Sequence, residues 1–278
     1  MLSFLMSQRV KSRRCPLRTI AFMNQKGGVG KTTSTVNLGA ALAAAGQRVL
    51  LVDVDPQANL SVHLDIDIHQ LQHSIYTLLT GRSSPCETVL REVRPGLAVL
   101  PANIDLSGAE IELVNQMGRE TVLKTLLDPY LQTESFDFVL FDCPPSLGLL
   151  SINALTAARE VFIPLQTEFF ALQGMTRLIE VVDLIRSRLN LPVEVTGIIA
   201  SQYDRRTNLS REVTAEIRRY FSSKVFRTIV HSNIKLAEAS SHGKTIFEYA
   251  PNSVGAQNFR DLAGEVCKRR ASSEATLS

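Results

Sequence analysis

Tryptophan is absent from this chain, aromatic residues make up only 6% of its 278 positions, and cysteine is rare and scattered. Cys15, Cys86, Cys143 and Cys267 show no CxxC spacing, so the sequence indicates neither a zinc site nor a disulfide framework. Of the five histidines, His69 and His73 stand four apart and could share a helix face. No third ligand accompanies them, so a solvated surface is expected and no transition metal is assigned. No apolar run approaches the ~18 residues of a membrane span, and the apolar residues 2–6 precede the basic ones, the reverse of a secretory signal. A cytoplasmic chain is therefore expected. A Ser-His-Asp arrangement is not readable either.

What is present suits a single large domain. Hydrophobic residues form 45% of the chain, enough to bury a full core. Apolar strands recur at 19–23, 48–53, 97–100, 136–141, 160–165 and 193–200, separated by helical or loop sequence. This spacing predicts an α/β fold: a three-layer, mostly parallel, twisted sheet flanked by helices on both faces, with ligands at the carboxyl ends of the strands. The predicted division is a basic N-terminal tail over 1–18, one domain over 19–270, and a C-terminal tail over 271–278. Arg9, Lys11, Arg13, Arg14 and Arg18 make the first segment basic with no acid. Disorder is the expectation there, or an upstream start with Met6 as the true initiator. The net charge of +3 conceals a body that is net acidic between two basic ends.

Residues 24–33 read NQKGGVGKTT between a short apolar strand and an alanine-rich helical stretch at 31–45 ended by Gly46. Glycines 27, 28 and 30 let successive N–H groups converge on one anion at the positive end of the following helix. Lys26, Gly27, Gly28, Val29, Gly30, Lys31, Thr32 and Thr33 are the candidate nucleotide-binding residues; Lys31 can reach the β and γ phosphates, and the Thr32 hydroxyl can ligate Mg²⁺. Where the usual P-loop pattern has its first glycine the chain has Gln25, followed by Lys26. A lysine set inside the nest does not easily reach phosphates its own loop wraps, so Lys26 is expected to point outward to a nucleotide in a facing subunit. The spare lysine predicts a homodimer with two nucleotides at its seam. Asp53 and Asp55 close one apolar strand and Asp142 closes another, where carboxylates serve a metal and an attacking water, or simply cap turns. No arginine finger in cis is evident, which predicts slow hydrolysis.

Five motifs in order resemble the deviant Walker ATPases, most closely the ParA/Soj branch of the MinD/ParA superfamily: NQKGGVGKTT at 24–33, LLVDVDPQANL at 50–60, FDCPPSLG at 141–148, PLQTEFFALQG at 164–174 and IKLAEASSHGKTI at 234–246. The resemblance covers about residues 19–267. It implies a P-loop ATPase that uses ATP and Mg²⁺, with Lys26, Lys31 and Asp55 as catalytic residues, Asp55 positioning the hydrolytic water. Thr32, Asp53 and Asp142 would serve the magnesium shell. It also implies chromosome or plasmid partitioning, nonspecific double-stranded DNA binding in the ATP dimer, a nucleoid-associated location, and stimulation by a ParB-like centromere-binding protein. The missing Asn-Lys-x-Asp motif leans toward adenine over guanine.

Residues 200–235 hold eight Lys or Arg against three acids. Over 208–221, Leu209, Val213, Ile217 and Tyr220 form a predicted apolar stripe, with Arg211 and Arg218 on another face. Arg205, Arg206, Arg211, Arg218, Arg227 and Lys235 are the candidate DNA-binding residues, meeting phosphates without reading bases. The plainer reading is a solvated helix whose arginines pair with Glu212 and Glu216. Two departures from the family stand here: His231-Ser232-Asn233 replaces a common Pro-Arg-Asn, and Ser240 replaces a proline. Competing readings are a ParA-like positioner of another cargo, a MinD-like membrane-cycling regulator, and an iron-protein-like redox partner. The second needs an amphipathic anchor that the last helix, 254–270, is too sparse to supply. The third needs cluster cysteines that Cys143 does not match.

Overall fold

The computed structural model describes residues 16–168 and 171–269. The tail residues 1–15 and 270–278, and Phe169-Phe170 within the fourth family motif, lie outside the described residues. Seven strands, β1 (Arg18–Phe22), β2 (Val49–Asp53), β3 (Leu90–Arg94), β4 (Leu97–Leu100), β5 (Phe138–Asp142), β6 (Glu160–Gln166) and β7 (Glu194–Ser201), form one sheet in the order β3-β4-β2-β5-β1-β6-β7. Every neighbouring pair is parallel except β3 with β4. The three-layer α/β architecture matches the expectation from sequence. β3 does not appear in the sequence reading, because LREVR carries three charges and, as an edge strand, buries little.

The chain crosses the sheet with α1 (Lys31–Ala44), α2 (Asn59–His63), α3 (Ile75–Leu79), α4 (Pro85–Thr88), α5 (Leu106–Leu113), α6 (Val122–Thr133), α7 (Leu149–Ala157), α8 (Ala171–Leu189), α9 (Asn208–Phe221), α10 (Ile234–Ser241), α11 (Ile246–Tyr249) and α12 (Val254–Lys268). Alternation along the strands divides the core in two. Ile20, Phe22, Leu51 and Leu140 pack with α1, α2 and α10–α12; Ala21, Leu50, Val52 and Phe141 pack with α3 and α5–α9. α1 lies close on the sheet because position 39 is glycine: a Cβ there would stand 2.6 Å from Leu51 Cδ2.

Three local expectations need correction. Arg18, assigned by sequence to the basic tail, begins β1 and is buried; its guanidinium forms a bidentate pair with Glu160 at 2.7 and 2.8 Å, stitching β1 to β6. His69 and His73 share no helix face, since both lie in the turns between α2 and α3. In α9 only Val213 and Ile217 of the expected stripe are buried, while Leu209 is 42% and Tyr220 63% exposed, because small polar Ser210 and Thr214 take the remaining inward positions.

β1 lies between β5 and β6, both formed later in the chain. From β1 the chain runs through α1 to β2, beyond β5, whereas β5 connects through α7 to β6 on the other side. The connections therefore diverge at the carboxyl end of β1, where such sheets open a crevice.

Candidate functional site

The loop leaving β1 enters this crevice. Asn24 Nδ2 donates to Pro164 O at 2.8 Å and Met23 N to Phe162 O at 3.0 Å, tying the start of the loop to β6. Gly28 and Gly30 take left-handed backbone, φ +74° and +88°, which side chains rarely tolerate. Gly30 is the N-cap of α1 with no side-chain cap, and the first turn carries no acid. The orphan N–H groups and the positive helix end thus face the cavity, an arrangement made for an anion. That cavity, about 500 Å³, is bordered by the loop from Gly27 to Thr33, by Asp55 and by Pro145. It adjoins a second of about 390 Å³ bordered by Gly30, Thr33, Gln202 and His231.

Lys31 is buried at the floor, its Nζ 3.4 Å from Lys26 O. Burial lowers its pKa, opposed by the carboxylates of Asp142 and Asp55. Lys26 behaves differently. Its side chain is 54% exposed, and its amine reaches away from the nest to Glu168 and to Gln166 Oε1 at 3.2 Å, at the end of β6. Neither β6 partner figured among the sequence-derived site residues, although both stand in the fourth family motif.

The three carboxylates fall in different environments. Asp53 and Asp142 are register partners on β2 and β5 and both are buried. The Thr32 hydroxyl donates to Asp142 Oδ2 at 2.6 Å, which leaves only lone pairs on the threonine oxygen for a cation. Burial, and next the charge of Asp53, pushes the Asp142 carboxyl up to about 8; burial pushes Asp53 up to about 7. Asp53 accepts from Ser61 N–H and Oγ–H at 3.0 and 2.7 Å, and from Asp55 N–H at 3.3 Å. Both of its oxygens are thus engaged by the chain, so it shapes the turn that carries Asp55 and does not line the cavity. Asp55 does line it, with Oδ1 held by Gln57 N–H at 2.9 Å.

A further cavity of about 610 Å³ opens at the opposite, amino end of β1 and β6. Its chief ionic groups are paired internally, Arg18 with Glu160 and Lys124 with Asp128, and it carries none of the loop chemistry.

A sequence-family model described as an AAA domain matches residues 17–195. The chromosome partitioning protein ParA of Caulobacter vibrioides is 44% identical over 260 residues, covering 94% of this chain and 97% of that protein. The sporulation initiation inhibitor protein Soj of Bacillus subtilis is 46% identical over 249 residues, covering 90% and 98%. The chain belongs to the ParA/Soj family. Among solved structures, the cobyrinic acid a,c-diamide synthase of Mycobacterium smegmatis with bound ADP and magnesium superposes with a TM-score of 0.79 at 35% identity, over 92% of this chain and 98% of that one.

The basic segment is spread over two connecting segments and two helices. Arg205 and Arg206 follow β7, Arg211 and Arg218 lie on α9, Arg227 lies beyond it, and Lys235 lies on α10; all six are exposed. Their partners differ. Arg206 pairs with Asp204 at 2.8 Å and Lys235 with Glu238 at 2.8 Å, Arg211 meets Asn208, Arg218 reaches Arg227 O at 3.0 Å, and Arg205 Nε donates to His231 Nε2 at 2.8 Å. The helix-face pair on α9 is instead Arg219 with Glu216. Sequence reasoning passed over Ser201 and Gln202, the polar end of an otherwise apolar strand, yet they hold the loop: Ser201 Oγ donates to Val29 O at 2.8 Å and Gln202 Nε2 to Gly28 O. Among the described residues no helix is long and apolar enough to cross a membrane.

Proposed function

We propose that this chain is an ATP-driven switch: an ATPase that dimerises around two nucleotides, binds double-stranded DNA without sequence preference in that state, and serves chromosome or plasmid partitioning with a ParB-like activator. The observation that carries this reading is Lys26, an exposed amine inside a phosphate nest that turns away from its own loop. Its pair with Glu168 is solvent-exposed and so contributes about 1 kcal/mol at most. A partner's phosphate therefore competes for the amine at small expense.

The residues fit a nucleotide and magnesium. The loop N–H groups and Lys31 hold the β and γ phosphates, and the nucleoside extends into the adjoining cavity beside Gln202 and His231. The Thr32 oxygen, with Asp142 behind it, would hold Mg²⁺, and a dication there would favour the charged form of the Asp142 carboxyl that burial and Asp53 raise. When bound, magnesium neutralises charge that develops on the phosphates. Asp55 borders the cavity and orients the attacking water; burial lowers the pKa of the Lys31 amine, and Asp142 and Asp55 oppose that shift. A single carboxylate orienting water, with no arginine among the described residues that border the cavity, gives slow turnover, as suits a timer.

The exposed arginines from Arg205 to Arg227, with Lys235, are the proposed phosphate contacts for DNA, and a nucleoid-associated ATP form within the cytoplasm is part of the same proposal. A membrane-cycling role is disfavoured because Phe259, Leu262 and Val266 of α12 are buried against α1. A cluster-bearing redox role is disfavoured because Cys143 is buried and its thiol is pushed up by burial and by Asp142. Co-sedimentation with DNA in ATP, ADP and no nucleotide across a salt series tests the reading. Binding is expected with ATP alone and should weaken steeply with salt. Equal binding in all three conditions overturns it.

A further inference from the structure

Gln202 lies in left-handed backbone, φ +50°. Such a conformation costs of order 1–3 kcal/mol and persists where its surroundings impose it, often at ligand clamps. On one side it holds Gly28 of the phosphate loop. On the other it leads into Tyr203, whose N–H donates to Val230 O at 3.1 Å and whose carbonyl accepts from Ser232 N–H at 3.0 Å. The Tyr203 ring stands edge-on to the His231 ring with centroids 5.4 Å apart. His231 is itself held at both nitrogens, Nδ1 at 3.0 Å from Asn258 Oδ1 and Nε2 at 2.8 Å from Arg205 Nε. A guanidinium only donates, so Nε2 is the acceptor and Nδ1 carries the proton toward Asn258. The same histidine borders the 390 Å³ cavity beside the phosphate loop. Its ring therefore touches the cavity and, through Nε2, the first cation of the basic segment.

We propose that His231 is a positioning residue that ties the filling of this cavity to the direction of the Arg205 guanidinium. A nucleoside entering beside Gln202 and Gly30 shifts the ring, and Arg205, bonded to Nε2, follows. An exposed arginine is in this way brought under the control of the nucleotide site. The inference rests on the nucleotide and DNA reading above, but the linkage itself is a property of the empty and filled cavity and is read without DNA.

The test uses the full chain labelled with ¹⁵N-arginine, the Arg205 Nε–H resonance being assigned by its loss in Arg205→Lys. In the wild type this resonance is expected to move when magnesium and a nonhydrolysable ATP analogue are added. In His231→Phe, which keeps a ring against Tyr203 but offers no acceptor, the resonance should begin at the position of a solvated arginine and stay there. Affinity for a fluorescent ATP analogue is measured in each variant so that every resonance is read at saturation. His231→Gln, which restores an acceptor, should recover part of the movement. In the DNA assay the ratio of affinities with and without ATP should fall at least about fivefold in both His231→Phe and Arg205→Ala, the range of a modest coupling. The double variant should fall no further.

A wild-type resonance that stays fixed at saturating analogue overturns the proposal, as does an unchanged movement in His231→Phe. A His231→Gln protein that binds the analogue yet shows no movement overturns it too. If instead the resonance behaves as expected while the wild type binds DNA equally with and without ATP, the linkage stands and the DNA reading fails.

Discussion

Acidification should expose a buried histidine at the edge of the site. His63, on α2 beyond Asp55, is 3% exposed, borders the phosphate cavity, and is anchored by its Nε2 at 3.2 Å from Lys244 O. Burial, opposed by its bond to Lys244 and reinforced by nearby Arg94, lowers its pKa from 6.5 to about 4. Because the folded value is depressed, the unfolded chain binds the proton first. The stability contributed by neutral His63 is therefore fully present above pH 6.5 and is lost as pH falls toward 4. The span of roughly 2.5 units corresponds to about 3 kcal/mol in all, of which about 2 kcal/mol is gone by pH 5. Asp53 and Asp142 act in the opposite sense, since carboxyls raised to about 7 and about 8 favour the folded chain as pH falls. The wild-type curve alone is thus uninformative, and the difference from His63→Gln isolates the histidine. Urea unfolding of both proteins at steps from pH 7.5 to 5 should show their stability gap shrinking by about 2 kcal/mol in favour of the variant. A gap that stays constant across that range would refute the reasoning.

Replacing Lys26 with alanine should leave nucleotide affinity within a few-fold but abolish the ATP-dependent dimer in sedimentation; a wild-type dimer would contradict the outward reading of that amine. Asp55→Asn should slow ATP turnover by at least about 10²-fold, as expected for loss of a group that orients the water, with nucleotide binding retained in equilibrium titration. Arg18→Met removes the charge partner of buried Glu160 and should cost about 3 kcal/mol in denaturant unfolding, the low end for such a break because the Thr196 hydroxyl still donates to Glu160 at 2.7 Å. Gly197→Ala puts a methyl 2.5–2.6 Å from the rings of Phe162 and Phe226, so a loss of about 1–3 kcal/mol in the same assay is expected.

How much of this was readable in advance follows from what each feature demands of the chain. The phosphate nest requires residue types in fixed order: glycine where φ is +74° and +88°, lysine and threonine at the first helical positions. Such a constraint is written in adjacent letters. Buried parallel strands are likewise continuous apolar runs, so six of seven were visible, whereas β3 satisfies its backbone at a charged edge and leaves no such run. Arg18 misled because a cation next to a basic tail reads as more of the tail; only the fold brings Glu160, 142 residues later, beside it.

The same logic separates the parts of the site. Asp142 and Asp53 announce themselves as the last residues of apolar strands, but their roles diverge through contacts that no local pattern encodes, Thr32 for the one and Ser61 for the other. Gln202 is the sharper case. Nothing in its neighbours signals a left-handed residue, and its strain makes sense only because β7 ends one strand beyond β6, against the phosphate loop. The sequence-adjacent pair Gln202 and Tyr203 then faces two ways, toward Gly28 and toward His231. A loop that must grip a nucleotide and a segment that must answer to it are thereby joined through one strand end, and a change at His231 can alter the answer while Ser201 and Gln202 still hold the loop.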